Sequence, residues 1–334
     1  MSQTGAEIHY FDIGDYLTRE QKLSKIAGLT DDEVLDSIDW VNIEPNASGD
    51  WINQRLESFA SHSPLVSSKD LKEAAFFPKK FLGNASNRDV WNYNSSLRIV
   101  EQNTEHMIRF FNSEVDRIHK SFNGENPKLN EVKKVADYSE KSFSWTRSDF
   151  TRLQVGEKYD DLSSLYVETM YRPYFKQFIN AHRRLNASPS KLAENFVREI
   201  PNQMAICVSG GSTFGVLMVN VSPDLACLGS GGTNALLRYL PNEFGVDENP
   251  NLFASDENIN TYSESVTDEM LSRFQKKLGN QISKDEIFFY IYGILHSTEY
   301  QNTYSSNLSK GLPRIPFPPS EKDFFGFSKN GRQL

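Results

Sequence analysis

Residues 287–316 read IFFYIYGILHSTEYQNTYSSNLSKGLPRIP. They join a strongly apolar helix, a second polar-aromatic helix and a stiff Pro-Arg-Ile-Pro exit. Ser283 and Glu286 form a capping box ahead of the first helix, and Ile287, Ile291, Ile294 and Leu295 make one apolar face. No run in the chain approaches the ~18 apolar residues needed to cross a bilayer. The segment is therefore expected to be protein scaffold. His296, directly after the apolar run, reads as a helix-end packing or capping histidine rather than a general base.

The chain has 334 residues, enough for one large domain or two ordinary ones. Its 24% charged and 12% aromatic residues fit a globular protein, expected to be soluble and cytoplasmic. The start, MSQTGAEIHYFD, lacks the basic and apolar regions of a signal peptide. Two cysteines, Cys207 and Cys227, are too few for a disulfide framework and read as buried reduced thiols. With six scattered histidines, no metal site is expected. The net charge of −8 argues against a simple electrostatic nucleic-acid binder. Its distribution softens that objection. Residues 1–61 hold 12 acids and 4 bases, which accounts for all of it, while the span 169–198 carries six bases against one acid.

Residues 1–61 read as a short α/β segment. A strand starts at Ile8, capping boxes begin at Thr18 (with Gln21) and Thr30 (with Glu33), and a second strand runs over Trp40–Ile43. A Ser-rich loop and irregular strands lead to a long helix over Leu97–Lys120, with Ile108, Phe111, Val115 and Ile118 at helical spacing. Short β-rich runs follow at Leu165–Met170, Tyr174–Ile179, Met204–Val208 and Phe214–Val221, with Gly210-Gly211 as a hairpin turn. Residues 242–262 read as a polar loop, and the tail is helical. The expected class is α+β: a mainly antiparallel sheet with one long helix and C-terminal helices.

Catalytic signatures are missing from the sequence. There is no GxxxxGK[ST] loop, no dinucleotide-binding GxGxxG, no Gly-x-Ser-x-Gly elbow, no His-Glu-x-x-His and no Asn-Pro-Pro-Tyr. What remains is recognition chemistry: Arg, Lys and Asn for phosphates, Arg to guanine, and Asn or Gln to adenine. Two regions offer it, Lys79-Lys80 through Asn84, Asn87, Arg88 and Asn94, and Arg172 through Lys191. In each, the competing reading is a solvated surface or a set of structural salt bridges. Arg172, before Pro173 and flanked by Tyr171 and Tyr174, fits a buried, bidentate structural donor, and Arg183-Arg184 is the better DNA-facing pair.

Read in order, several segments resemble the C-terminal part of type ISP restriction-modification enzymes. They are Tyr10 to Glu20, Trp40 to Arg55, Ser86-Asn87-Arg88-Asp89-Val90-Trp91-Asn92-Tyr93-Asn94, Phe143 to Arg147, Tyr171-Arg172-Pro173-Tyr174, and Leu295-His296-Ser297 through Pro313-Arg314-Ile315-Pro316. Gln301, Tyr174 and segment 229–240 depart from the family's pattern. Such enzymes join a nuclease, a helicase-like ATPase, an adenine methyltransferase and a target-recognition domain in one polypeptide. The resemblance implies that residues 1–61 close a methyltransferase-like domain and that residues 62–334 are the target-recognition domain. It also implies no catalysis in this chain. S-adenosylmethionine, ATP and Mg would sit only on partner domains.

The expected function is sequence-specific recognition of double-stranded DNA for an associated adenine methyltransferase and helicase-nuclease. Lys80, Asn87, Arg88, Arg183, Arg184 and Lys191 are expected to face the DNA. Two other readings stay open: a protein-interaction or decoy subunit docking through the acidic segment 1–61, and a non-functional fragment of such an enzyme.

Overall fold

The computed structural model describes residues 6–29, 32–67, 73–139, 142–160, 165–187, 192–197, 200–209, 213–242 and 262–334. The chain divides into two compact units, Met1–Phe59 and Ala60–Leu334.

The first unit contains β1 (Ile8–Tyr10), α1 (Arg19–Ala27), α2 (Asp32–Asp36) and β2 (Val41–Ile43), with β1 antiparallel to β2 and Ile8 opposite Ile43. The Thr18 box is formed: Thr18 Oγ1 accepts from Gln21 N at 3.3 Å, and Gln21 Oε1 accepts from Thr18 N at 2.8 Å. Thr30, the second expected cap, lies outside the described residues. Among the described residues of this unit only Phe59 is buried, and Leu23, Ile26, Trp40, Trp51, Ile52 and Leu56 are exposed.

The second unit opens with β3 (Ser63–Pro64), β4 (Phe81–Leu82), α3 (Asp89–Asn92), β5 (Tyr93–Asn94) and α4 (Leu97–Ser121). Val100, Met107, Phe111, Val115 and Ile118 of α4 are buried, so the seam turns slightly from the expected one, with Met107 inside and Ile108 half-buried. Against it pack α5 (Leu129–Val135) and α6 (Arg147–Val155), which bring Val132, Phe143, Phe150, Leu153 and Tyr159 into one core. Gly156, in the left-handed region at φ 72°, ends α6.

Next come β6 (Tyr166–Arg172), β7 (Phe175–Asn180), α7 (Leu192–Val197), β8 (Ala205–Ser209), β9 (Val216–Val219), β10 (Ser222–Pro223), β11 (Thr233–Leu237), β12 (Tyr239–Pro241) and β13 (Tyr262–Glu264). Two four-stranded sheets result, with strand orders β10-β6-β7-β5 and β4-β11-β8-β9. All their pairings are antiparallel except β10 with β6. Strands β8 and β9 are paired neighbours in sequence, as a hairpin requires. The Gly210-Gly211 turn itself, and most of the loop read at 242–262, lie outside the described residues. Both cysteines are free and buried. Burial raises both thiols, that of Cys227 to about 11, so neither is a reactive thiolate near neutral pH.

The tail comprises α8 (Asp268–Leu278), α9 (Lys284–His296), α10 (Thr298–Thr303), α11 (Ser305–Leu308), β14 (Arg314–Ile315) and α12 (Glu321–Gln333). The Ser283 capping box is formed, and every residue from Ile287 to Leu295 is buried. The Pro-Arg-Ile-Pro exit is a clamp. Arg314 pairs as β14 with Pro64 of β3, donates from Nε to His62 O at 2.7 Å, and bonds Glu73 at 2.6 Å. Tyr290 and Tyr300 donate to the carbonyls of Pro316 and Arg314, both at 2.8 Å. The scaffold expectation for this stretch holds. No helix among the described residues is long and apolar enough to cross a membrane.

Candidate nucleic-acid interface

The stretch Asn87-Arg88-Asp89 sends its three side chains to three destinations. Arg88, expected to face DNA, does not. Its side chain is 0% exposed and its Nη2 donates to Asp149 Oδ2 at 2.7 Å and to Thr146 Oγ1 at 3.3 Å. The guanidinium lies 5.0 Å from the Phe143 ring centre. Asp149 is equally enclosed. It receives Tyr159 Oη at 2.5 Å and Thr146 N at 2.8 Å, and burial followed by the Asp149 charge pushes the Tyr159 phenol up. The physical reason is pairing: the Asp149 carboxylate, fully buried on α6, needs a cation, and Arg88 holds it at 2.7 Å, with Arg152 farther off at 3.6 Å.

Asn87 is exposed, in the left-handed region at φ 55°. It lines a cleft of about 610 Å³ with Trp145, Thr146, Arg147, Ser148, Thr151 and Ala187. This cleft opens at the N-terminus of α6. Arg147 and Ser148 are exposed there, and Arg147 makes no ion pair with a described residue. A cation in the first turn sits at the positive end of the helix dipole, which disfavours it unless an anion is also present. Sequence reasoning missed Arg147, although an arginine directly after a threonine N-cap is a readable signal.

Arg183 and Arg184 part company. They occupy a 3₁₀ turn capped by His182, whose Nδ1 accepts from Arg184 N at 3.3 Å. Arg184 is engaged by Glu157 and by Asp160, the latter at 3.5 Å. Arg183 is exposed on the rim of a second cleft, of about 470 Å³, shared with Arg152, Leu165, His182 and Glu194. Lys80 is exposed, and the protein around it lowers its ammonium pKa by desolvation. Lys191 lies outside the described residues.

A third polar cluster braces the β6–β7 hairpin. Asp224 accepts from Tyr93 Oη at 2.7 Å and from Arg172 Nη1 at 2.9 Å. Arg172 also stacks 3.9 Å from the Tyr171 ring centre, and Tyr171 Oη donates to Asp89 Oδ2 at 3.0 Å. Burial raises the Asp224 carboxyl against the lowering effect of Tyr93 and Arg172. Arg172 is thus a structural donor, but its side chain is 40% exposed rather than buried and it reaches Asp224 through one nitrogen rather than two.

His296 behaves as a packing residue at the end of α9, edge-on to Tyr292 at 4.6 Å with a buried Nε2. Desolvation lowers the pKa of His62, His182 and His296 below the ordinary 6.5. The unfolded chain then binds more protons than the folded one. Their stabilising contribution is full above about pH 6.5 and is lost as pH falls through the depressed folded values. Urea midpoints are expected to fall between pH 7 and pH 5, and His296→Leu should flatten that slope. No group of three or more His, Cys, Asp or Glu among the described residues is placed to hold a metal ion.

The family model described as the Type ISP C-terminal specificity domain matches residues 75–334. The chain is similar in structure to a nuclease-deletion mutant of the Type ISP restriction-modification enzyme LlaGI, solved in complex with a DNA substrate mimic. That match has a TM-score of 0.77 and 29% identity, over 98% of this chain and 23% of the other. A second match is the ATP-dependent Type ISP restriction-modification enzyme LlaBIII bound to DNA, with a TM-score of 0.75 and 26% identity over 98% and 20% of the two chains. The DrdV–DNA complex shares the fold, with a TM-score of 0.77 at 24% identity over 98% and 30%. The chain therefore spans less than a third of the length of each of these proteins. No curated protein matches it. With more than three quarters of its residues inside the family model, the chain belongs to the Type ISP C-terminal specificity domain family.

Proposed function

We propose that this chain recognises double-stranded DNA in a sequence-specific way and positions it for an adenine methyltransferase and helicase-nuclease held elsewhere in the assembly. The observation that carries this reading is the cleft at the start of α6. Arg147, which makes no ion pair among the described residues, the Ser148 hydroxyl, the Asn87 amide and the Trp145 indole converge there, in a chain of the specificity-domain family. A helix N-terminus with an added cation suits a phosphate, and an amide beside it suits a base edge. LlaGI and LlaBIII, two similar proteins above 25% identity, were both solved with DNA or a DNA mimic. On this reading the chain contributes no catalysis, and S-adenosylmethionine, ATP and Mg belong to the partner domains.

Selection from a random duplex pool, followed by anisotropy at several salt concentrations, tests the proposal. Arg147→Ala and Arg183→Ala are each expected to weaken binding across sequences and to reduce the salt slope by about one. Arg183 is the cleaner test of its pair, because removing Arg184 also strands Glu157 and Asp160. If neither variant moves affinity or slope, these two clefts are not the binding face.

One observation favours a docking role as well. The first unit holds a single buried residue among those described and exposes two tryptophans. A layer without its own core suits the closing segment of a methyltransferase-like domain, completed by the rest of that domain. Tight capture of a methyltransferase-helicase partner, with no duplex bound by the isolated chain, would favour the interaction or decoy reading.

A further inference from the structure

The β6–β7 hairpin turns through two residues, Pro173 and Tyr174, between the paired Arg172 and Phe175. Proline fixes the first at a negative φ, and Tyr174 has φ +60°. A proline followed by a residue of positive φ is the pattern of a type II turn, whose third position normally takes Gly or Asn. Here it takes a tyrosine that is 88% exposed. A bulky residue in the left-handed region is strained, and an aromatic ring in water recovers none of that cost by packing.

The base of the same hairpin is stiff. A register shift between Met170 and Arg172 fits the strands to the turn, and Arg172, Tyr171, Asp224, Tyr93 and Asp89 form one connected polar cluster beneath it. Phe175, beside the tip, is also partly in solvent. Strain and exposure together on a rigid support mark a position kept for what it touches, because a glycine would fold there more readily.

We infer that Tyr174 is a stacking wedge: its ring packs on the face of a DNA base at a step that the bound duplex opens. This rests on the proposed DNA-recognition function. The chemistry follows from the side chain. An aromatic face offers sequence-tolerant stacking to any base, and wedging side chains in DNA-bending proteins act at opened base steps. The Asp89 link also ties the hairpin base to the segment that carries exposed Asn87, so the tip is braced against a residue of the candidate interface.

The test uses the full chain and the duplex recovered by selection, with 2-aminopurine placed at each adenine in turn. Wild type is expected to change the emission at one position. Tyr174→Gly should abolish that change and raise Kd about 10- to 100-fold. The same variant should melt about 2 °C higher, because the strain is gone. Tyr174→Phe should keep both the emission change and affinity within about threefold, since stacking needs no hydroxyl. Unchanged affinity in Tyr174→Gly overturns the inference. So does a loss of affinity with no position whose emission depends on Tyr174, or a lower melting temperature in that variant. Loss of partner capture with duplex binding intact assigns the tip to a protein and overturns it too. If wild type recovers no duplex, the DNA-recognition reading itself fails. Wild-type binding with an indifferent Tyr174→Gly removes only the wedge.

Discussion

Asp149→Ala is expected to cost the C-terminal unit about 3–5 kcal/mol, the usual penalty for stranding one partner of a buried ion pair. Three losses coincide. Arg88, with a side chain 0% exposed, keeps its charge and loses its counterion, while its Nε and Nη1 already find no hydrogen-bond partner among the described residues. Tyr159 Oη loses its 2.5 Å acceptor and is left with the longer bonds to the Arg184 carbonyl and from Arg152 Nη1, both at 3.2 Å. Thr146 N loses the acceptor that closes the α6 capping box, worth about 1 kcal/mol by itself. Arg88→Met with Asp149→Leu should recover much of the stability, because an apolar pair of similar volume needs no desolvated charge. Urea midpoints of the single and double variants measure both effects. A midpoint for Asp149→Ala within about 0.5 kcal/mol of wild type would show that the pair is not coupled to folding.

Local signals were legible in the sequence and long-range ones were not. The α4 helix, expected over 97–120, spans Leu97–Ser121, because a 25-residue amphipathic stripe is a strong periodic signal. The Thr18 and Ser283 capping boxes formed as read, since their partners are three residues apart. The parallel pairing of β10 with β6 joins Ser222 to Thr169, and nothing in either segment announces the other. Arg88 failed for the same reason. Its partner Asp149 lies 61 positions away, so Asn87-Arg88-Asp89 reads as a charged surface turn when only its first residue is one. The Arg314 clamp on His62 and Glu73 was likewise visible only as a stiff motif. The site is therefore half legible. Asn87 and Arg183, singled out by residue type, are exposed and line clefts, whereas Arg147 becomes a candidate only when α6 is seen to open into a cleft.

Gly331→Ala is expected to destabilise the same unit by about 3 kcal/mol, the upper end of the range for overpacking, although alanine is the better helix former by about 1 kcal/mol. Helices α9 and α12 cross with backbone against backbone. A Cβ on Gly331 would overlap the Phe289 carbonyl oxygen and stand 2.8 Å from Gly293 N. A Cβ on Gly293 would overlap the Phe327 carbonyl oxygen and stand 3.1 Å from its carbon. The obstacles are main-chain atoms of a buried helix, so no side chain can swing aside and the helices must separate. Separation would loosen the aromatic set of Tyr290, Phe274 and Phe324, whose rings lie 5.2–5.8 Å apart. It would also pull on Tyr292, whose hydroxyl accepts from Met218 N of β9 at 3.0 Å and so joins the helical pair to the second sheet. Gly326, five residues earlier in α12, is exposed with nothing within 4 Å of a would-be Cβ. Gly326→Ala should therefore stabilise by about 0.5–1 kcal/mol. Opposite signs for one substitution at two sites in a single helix separate close packing from propensity, and thermal melts of the two variants decide between them. If both variants melt above wild type, the crossing is not glycine-dependent, and the apolar helix that opens the C-terminal motif would hold its place by burial alone.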